Sequence, residues 1–192
     1  ITSLVLTAII ILSVFGAVPV SAASTNAQNV NYAGAILNEE TPYLMVTENM
    51  SIPTTKASAE STPPEGYVLL ATFDPVTATL TYNHGYEKVY MENSLAPDLG
   101  WQAYVEMQPD GKGYLRGIYA DGDLTLDLNG YNNAIYAGWN APIKNTHLRA
   151  IEVKGNFTIK GNGHFKITAH APFADNGMTY HGHGIKADGN IS

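Results

Sequence analysis

The chain has 192 residues, with 10 Lys and Arg against 17 Asp and Glu, a net charge of −7 at pH 7 and no Cys. The acidic balance, with Arg116 and Arg149 as its only arginines, argues against nucleic acid and against an anionic membrane surface as partners. No disulfide framework is available, so stability must come from a packed core.

In chain order, Leu4 to Phe15 is an apolar run broken only by Thr7 and Ser13, and Val20-Ser21-Ala22-Ala23 follows it. An apolar segment with small residues after it is the pattern of a cleavable secretory signal, which assigns residues 1–23. The run is shorter than the roughly 20 apolar residues of a spanning helix, so no membrane association is expected beyond the signal. A secreted or cell-surface location follows. The first residue is Ile1 and no basic stretch precedes the run, so a start lying further upstream is expected.

Residues 24–66 are rich in Ser, Thr, Asn, Ala and Pro, ending near Ser61-Thr62-Pro63-Pro64. That composition predicts a low-complexity lead-in or linker, with Tyr43-Leu44-Met45-Val46 as one short strand. From Tyr67 two β-rich runs, Tyr67–Phe73 and Ala78–Tyr82, flank Asp74-Pro75 and predict a hairpin. Up to residue 116, Pro97, Pro109, Asp110, Gly111 and Gly113 punctuate the chain. Residues 67–116 therefore read as a hairpin and an irregular N-terminal cap or first coil.

A ten-residue phrase then occurs three times: Gly117-Ile-Tyr-Ala-Asp-Gly-Asp-Leu-Thr-Leu126, Ala150-Ile-Glu-Val-Lys-Gly-Asn-Phe-Thr-Ile159, and Gly184-Ile-Lys-Ala-Asp-Gly-Asn-Ile-Ser192. A fixed period signals stacked supersecondary units that bury their apolar faces on one another. Apolar residues alternate on both sides of Gly122, Gly155 and Gly189, which predicts short half-buried strands meeting at corners. At those three glycines a positive φ is expected. Stacking gives apolar columns Ile118/Ile151/Ile185, Ala120/Val153/Ala187 and Leu124/Phe157/Ile191. Outward columns are Asp121/Lys154/Asp188, Asp123/Asn156/Asn190 and Thr125/Thr158/Ser192. The expected fold is all-β: a right-handed parallel β-helix, a solenoid over residues 117–192, with the hairpin and cap region before it. The third phrase stops before the residue matching Leu126, so further coils are expected beyond Ser192. An ankyrin-like repeat is rejected because no amphipathic helices lie between the phrases.

These phrases, with Phe73-Asp74-Pro75-Val76-Thr77-Ala78-Thr79-Leu80-Thr81 and Gly155-Asn156-Phe157-Thr158-Ile159-Lys160-Gly161-Asn162-Gly163, resemble secreted bacterial repeat proteins labelled carbohydrate-binding-domain-containing, common on Gram-positive gut bacteria. The likeness covers roughly residues 67–192. It implies a right-handed parallel β-helix in a modular surface protein, and it carries no catalytic motif.

For chemistry, Trp139, Tyr136, Tyr131 and Tyr180 lie between the phrases, where exposed rings would stack on sugar faces. Trp101 and Tyr104 read as packing residues of the cap. Asp121, Asp123, Asp127, Asp175, Asp188, Asn156 and Asn190 gather at corners, but Lys154 interrupts the acidic column and solvated turns are expected rather than Ca²⁺. His164, His170, His181 and His183 are close in sequence, yet without Cys or a partner carboxylate at motif spacing they predict no metal site. The sequons at Asn156 and Asn190 share one repeat position, so the repeat accounts for them. Arg116 and Arg149 precede the phrase and fall in no predicted carboxylate cluster, so no lyase or hydrolase constellation is legible. No catalytic residue and no cofactor are expected.

The expected function is a non-catalytic secreted or cell-surface repeat protein that binds polysaccharide or host-surface glycan or mediates adhesion. Two alternatives stay open. One is an accessory part of a polysaccharide lyase or hydrolase whose catalytic groups lie beyond Ser192; the other is a purely structural stalk.

Overall fold

The computed structural model describes residues 25–48, 56–85, 104–107, 113–138, 146–170 and 181–192. Residues 1–23, expected as a secretory signal, lie outside them, and no helix among the described residues is long and apolar enough to cross a membrane.

The described strands are β1 (Val30–Tyr32), β2 (Ala35–Leu37), β3 (Tyr43–Thr47), β4 (Lys56–Ser58), β5 (Tyr67–Asp74), β6 (Thr79–Tyr82) and β7 (Tyr104–Met107). They continue as β8 (Gly113–Ala120), β9 (Leu124–Asp127), β10 (Asn133–Gly138), β11 (Thr146–Val153), β12 (Phe157–Lys160), β13 (Phe165–His170) and β14 (His181–Ala187). One sheet runs β14-β11-β8-β1-β2, with β7 also on β8; a second runs β12-β9-β6-β5-β3-β4; β10 and β13 form a third.

The fold is all-β, as expected, but it is not the right-handed parallel β-helix. Both large sheets are mixed. Pairings β8–β11, β11–β14, β9–β12, β6–β9 and β10–β13 are parallel. Pairings β1–β2, β1–β8, β7–β8, β3–β4, β3–β5 and β5–β6 are antiparallel, so in each large sheet two of the six strands, β1 and β7 in one and β4 and β5 in the other, run against the repeat direction. The physical reason lies in the lead-in. Residues 24–66, expected as a linker, carry β1 to β4, and Val30, Tyr32, Leu37, Leu44, Met45 and Val46 are all buried. These strands close the repeat strands at one side by turning back, which a solenoid does not do.

Within the repeated part the predicted columns are present. Ile118 pairs with Ile151 and Ile151 with Ile185; Ala120, Val153 and Ala187 align likewise, as do Leu124 and Phe157. Side chains at the corners lock this register by accepting a backbone N–H one copy later. Asp123 Oδ1 accepts from Asn156 N at 2.5 Å, 33 residues on, and Asn156 Oδ1 accepts from Asn190 N at 2.9 Å, 34 residues on. Asn132 Oδ1 accepts from His164 N at 2.9 Å, 32 residues on. The hydroxyls of Thr158 and Ser192 meet at 2.9 Å.

The corner glycines correct a second expectation. Among the described residues the left-handed glycines are Gly34, Gly66, Gly130, Gly161 and Gly163, and Gly122, Gly155 and Gly189 are not among them. At Gly122 and Gly189 close approach is what requires glycine. A Cβ on Gly122 would collide with the Thr25 carbonyl oxygen and stand 2.8 Å from Ala27 N, while one on Gly189 would stand 2.5 Å from Asn156 Oδ1.

A single apolar cluster joins both regions: Leu37, Leu44 and Phe73 from the antiparallel part pack with Ile118, Leu126 and Phe157 from the repeats. Inside it Tyr32 and Tyr82 are fully buried, with their hydroxyls 3.1 Å apart. Burial pushes the Tyr32 phenol up to about 12 despite the opposing hydrogen bond from Tyr82, and the Tyr82 phenol also lies well above its ordinary range. Both stay neutral and serve as a polar link in the core.

Candidate functional site

Two places combine polar chemistry with defined geometry. The first is an open cleft of about 470 Å³ where the segment before β1 passes the β5–β6 turn. Pro42 and Tyr43 at the start of β3, with Pro75 and Val76 of the turn, provide its apolar surface, and Glu39 and Asp74 provide carboxylates. Val76 is 81% exposed. The walls are fixed by hydrogen bonds. Asn26 donates its side-chain amide to the Val76 carbonyl at 2.7 Å, and Gln28 donates to the carbonyls of Asn26 at 3.2 Å and Pro75 at 3.4 Å. Asp74 accepts from Val76 N at 2.9 Å and from the Thr77 hydroxyl at 2.7 Å, an Asx-type turn. The Thr77 hydroxyl bond, then the Val76 N–H, holds the Asp74 carboxyl below its usual value.

The second place is a charge cluster on β8, β11 and β14, centred on Glu152, whose side chain is 0% exposed. Four cations surround that carboxylate: Arg116 Nε at 2.5 Å, Arg149, Lys154 Nζ at 3.0 Å and Lys186 Nζ at 3.6 Å. Lys186 also pairs with Asp188 at 2.9 Å, and Lys154 lies 3.6 Å from the same acid. The Arg116 guanidinium stands 4.6 Å over the Tyr119 ring. Burial works to raise the Glu152 carboxyl, but the hydrogen bonds from Arg149, Arg116 and Lys154 overcome it and bring it down to about 2. The Lys154 ammonium is raised: desolvation opposes this, and the Glu152 partnership prevails. Asp188 is lowered, first by its Lys186 hydrogen bond.

The sequence reading placed Arg116 and Arg149 outside any carboxylate cluster, and the structure puts both on Glu152. The cause is a break in alternation. Ala150 and Ile151, consecutive in sequence, both belong to the apolar core, and the ladder skips Ala150 on both sides, opposite Gly117 of β8 and Gly184 of β14. Arg149 and Glu152 thereby share a face although three residues separate them. The available signal was the column alignment: Arg149 stacks on Arg116, Glu152 on Tyr119 and Lys186 on Glu152.

Of the residues expected to stack on sugars, Trp139 and Tyr180 lie outside the described residues, as does Trp101. Tyr136 is described by its backbone only, in β10, opposite Thr168 of β13; Tyr104 is likewise described by its backbone alone, in β7. Tyr131 is 38% exposed, at the turn between β9 and β10. It is not among the residues that line the cleft. Asp121 is exposed and holds the chain before β1, accepting from Gln28 N at 3.0 Å and from Asn29 N at 3.2 Å. His183 is exposed and paired in the ladder with Arg149. Among the described residues no group of three or more His, Asp or Glu is arranged to hold a metal.

No family model matches the chain, and neither does any curated protein or solved structure.

Proposed function

We propose that this chain is a non-catalytic extracellular module that binds a glycan, on polysaccharide or on a host surface, and so mediates adhesion. The observation that carries the reading is the cleft beside the β5–β6 turn. A Tyr and Pro surface, two carboxylates and amide-braced walls are the groups that meet a sugar's CH face and its hydroxyls. Its hydrogen-bonded rim is already rigid, so little ordering opposes binding. A carboxylate held ionised by four cations is unsuited to proton donation near neutral pH, which supports a binding rather than a catalytic role for the charge cluster's Glu152. The test is retention of the folded chain on a neutral glycan array together with adhesion of cells displaying it. Glu39 is exposed, so Glu39→Ala should weaken retention several-fold without changing the unfolding midpoint. Absence of retention with unchanged adhesion after deletion would overturn the reading.

A second reading, a structural spacer, is favoured by the side-chain to backbone bonds that tie one copy to the next. It predicts the same fold and no glycan retention.

A further inference from the structure

Four of the chain's ten Lys and Arg residues converge on the outer face of β8, β11 and β14. Glu152 and Asp188 are acids among them, in a chain whose net charge is −7. The layering is specific. Glu152 is fully covered, the two guanidiniums are 9% and 11% exposed, and the ammonium side chains of Lys154 and Lys186 are 37% and 35% exposed. A buried carboxylate thus anchors cations from three strands, and the solvent meets the two ammoniums together with Asp188, whose side chain is 43% exposed.

From this arrangement we infer that the β8–β11–β14 face is a binding site for an acidic polysaccharide, one bearing carboxylate or sulfate groups. Three features select that ligand. An ammonium has three N–H donors, and Lys154 and Lys186 each meet only two carboxylates in the patch, leaving donor capacity toward the outside. Tyr119, half-buried beneath the Arg116 guanidinium, adds a ring on the ladder row that holds Glu152 and Lys186, and a ring beside fixed cations suits a charged sugar. The two ammoniums are solvent-exposed, so a single small anion would gain little from pairing with them, and useful affinity requires a polymer that repeats its charge. Strands about 4.8 Å apart place cations on neighbouring strands at separations that a chain of acidic sugars can span. Because Glu152 already orders the cationic side chains, a ligand finds them in place. The cleft beside the β5–β6 turn has no part in this inference, and the two sites differ in the charge of the glycan they take.

The test is affinity electrophoresis of the full chain through polygalacturonate (carboxylate), dextran sulfate (sulfate) and neutral dextran, with single-stranded DNA as a fourth arm. Retardation is expected in one or both acidic polymers, and which one identifies the anion. It should weaken about tenfold between low salt and roughly 0.5 M salt, as exposed charges are screened. The Lys154→Gln/Lys186→Gln double variant should lose at least about tenfold, the loss of two charge contacts, while Lys160→Gln, on the other large sheet, should be unchanged. Circular dichroism of each variant separates lost binding from lost fold, and a reversible salt effect on the native chain tests the inference even if the double variant unfolds. Equal retardation in neutral dextran, no retardation in either acidic polymer, full binding by a folded double variant, or tighter binding of the DNA would each overturn it.

Discussion

The two regions of this molecule solve the same problem differently. In β1 to β6 the described strands turn back on themselves, and register is set by tight turns such as those of β1–β2 and β5–β6 and braced by side chains such as Asn38 and Asp74. In residues 113–192 the described strands that carry the phrase run parallel, and register is set by like residues stacked on like, with Asp123 and Asn156 each gripping the next copy's backbone. The antiparallel region buries an uncharged polar pair, Tyr32 and Tyr82; the parallel region buries a charge, Glu152. The difference teaches where specificity is kept. Turn residues carry it locally in one region, and in the other it is carried across strands by columns and ladders that only a repeated sequence can supply.

The sharpest way to break this contrast is at Glu152. Glu152→Gln leaves four cations around a neutral amide and should cost about 3–5 kcal/mol, measured as a shift of the urea midpoint at pH 7. Because the carboxyl is lowered from 4.5 to about 2 on folding, its contribution is full above pH 4.5 and is lost as pH falls toward 2. The wild-type and Glu152→Gln curves should therefore converge in that acid window; a difference that stays constant from pH 7 to 2 would show that the ion cluster is not its source.

Next in size is a test of whether the regions unfold together. Leu126→Ala in the parallel part and Leu37→Ala in the antiparallel part each empty a side chain that is 0% exposed, at a cost of about 2–5 kcal/mol. One shared core predicts a single urea transition that moves for both; two transitions, each moved by one variant, would split the molecule in two. Gly122→Ala, where a Cβ meets backbone from the lead-in, should cost about 1–3 kcal/mol by overpacking. Thermal unfolding reads it, and an unchanged midpoint would mean that the corner has room. The smallest effect is favourable. Ala33 sits at φ 49, and Ala33→Asn should stabilise by about 0.5–1 kcal/mol because Asn tolerates that region better.

Much of the parallel region was legible. Period-2 alternation around the corner glycines gave the apolar columns, and the polar corner column appears as the Asp123–Asn156–Asn190 ladder. The antiparallel region was not, for two local reasons. The β1–β2 turn is Ala33-Gly34, with both residues left-handed, and Ala is a poor marker for a turn that normally advertises itself with Asn or Asp. The apolar residues Val30, Tyr32 and Leu37 are spaced two or more apart in a stretch dominated by Asn and Ala, so composition concealed a buried strand pair. The Glu152 cluster was hidden by the Ala150-Ile151 irregularity, since strict alternation assigns Arg149 to the opposite face. Of the cleft, only the Asp74-Pro75 turn was visible in sequence; the approach of Asn26 and Gln28 to it spans about half a hundred residues of chain.

The bonds that tie one copy to the next span 32, 33 and 34 residues. The described rows stay aligned at all three separations, so the grip on the next copy behaves as a joint with play: register is fixed by the atoms that meet and not by the number of residues between them.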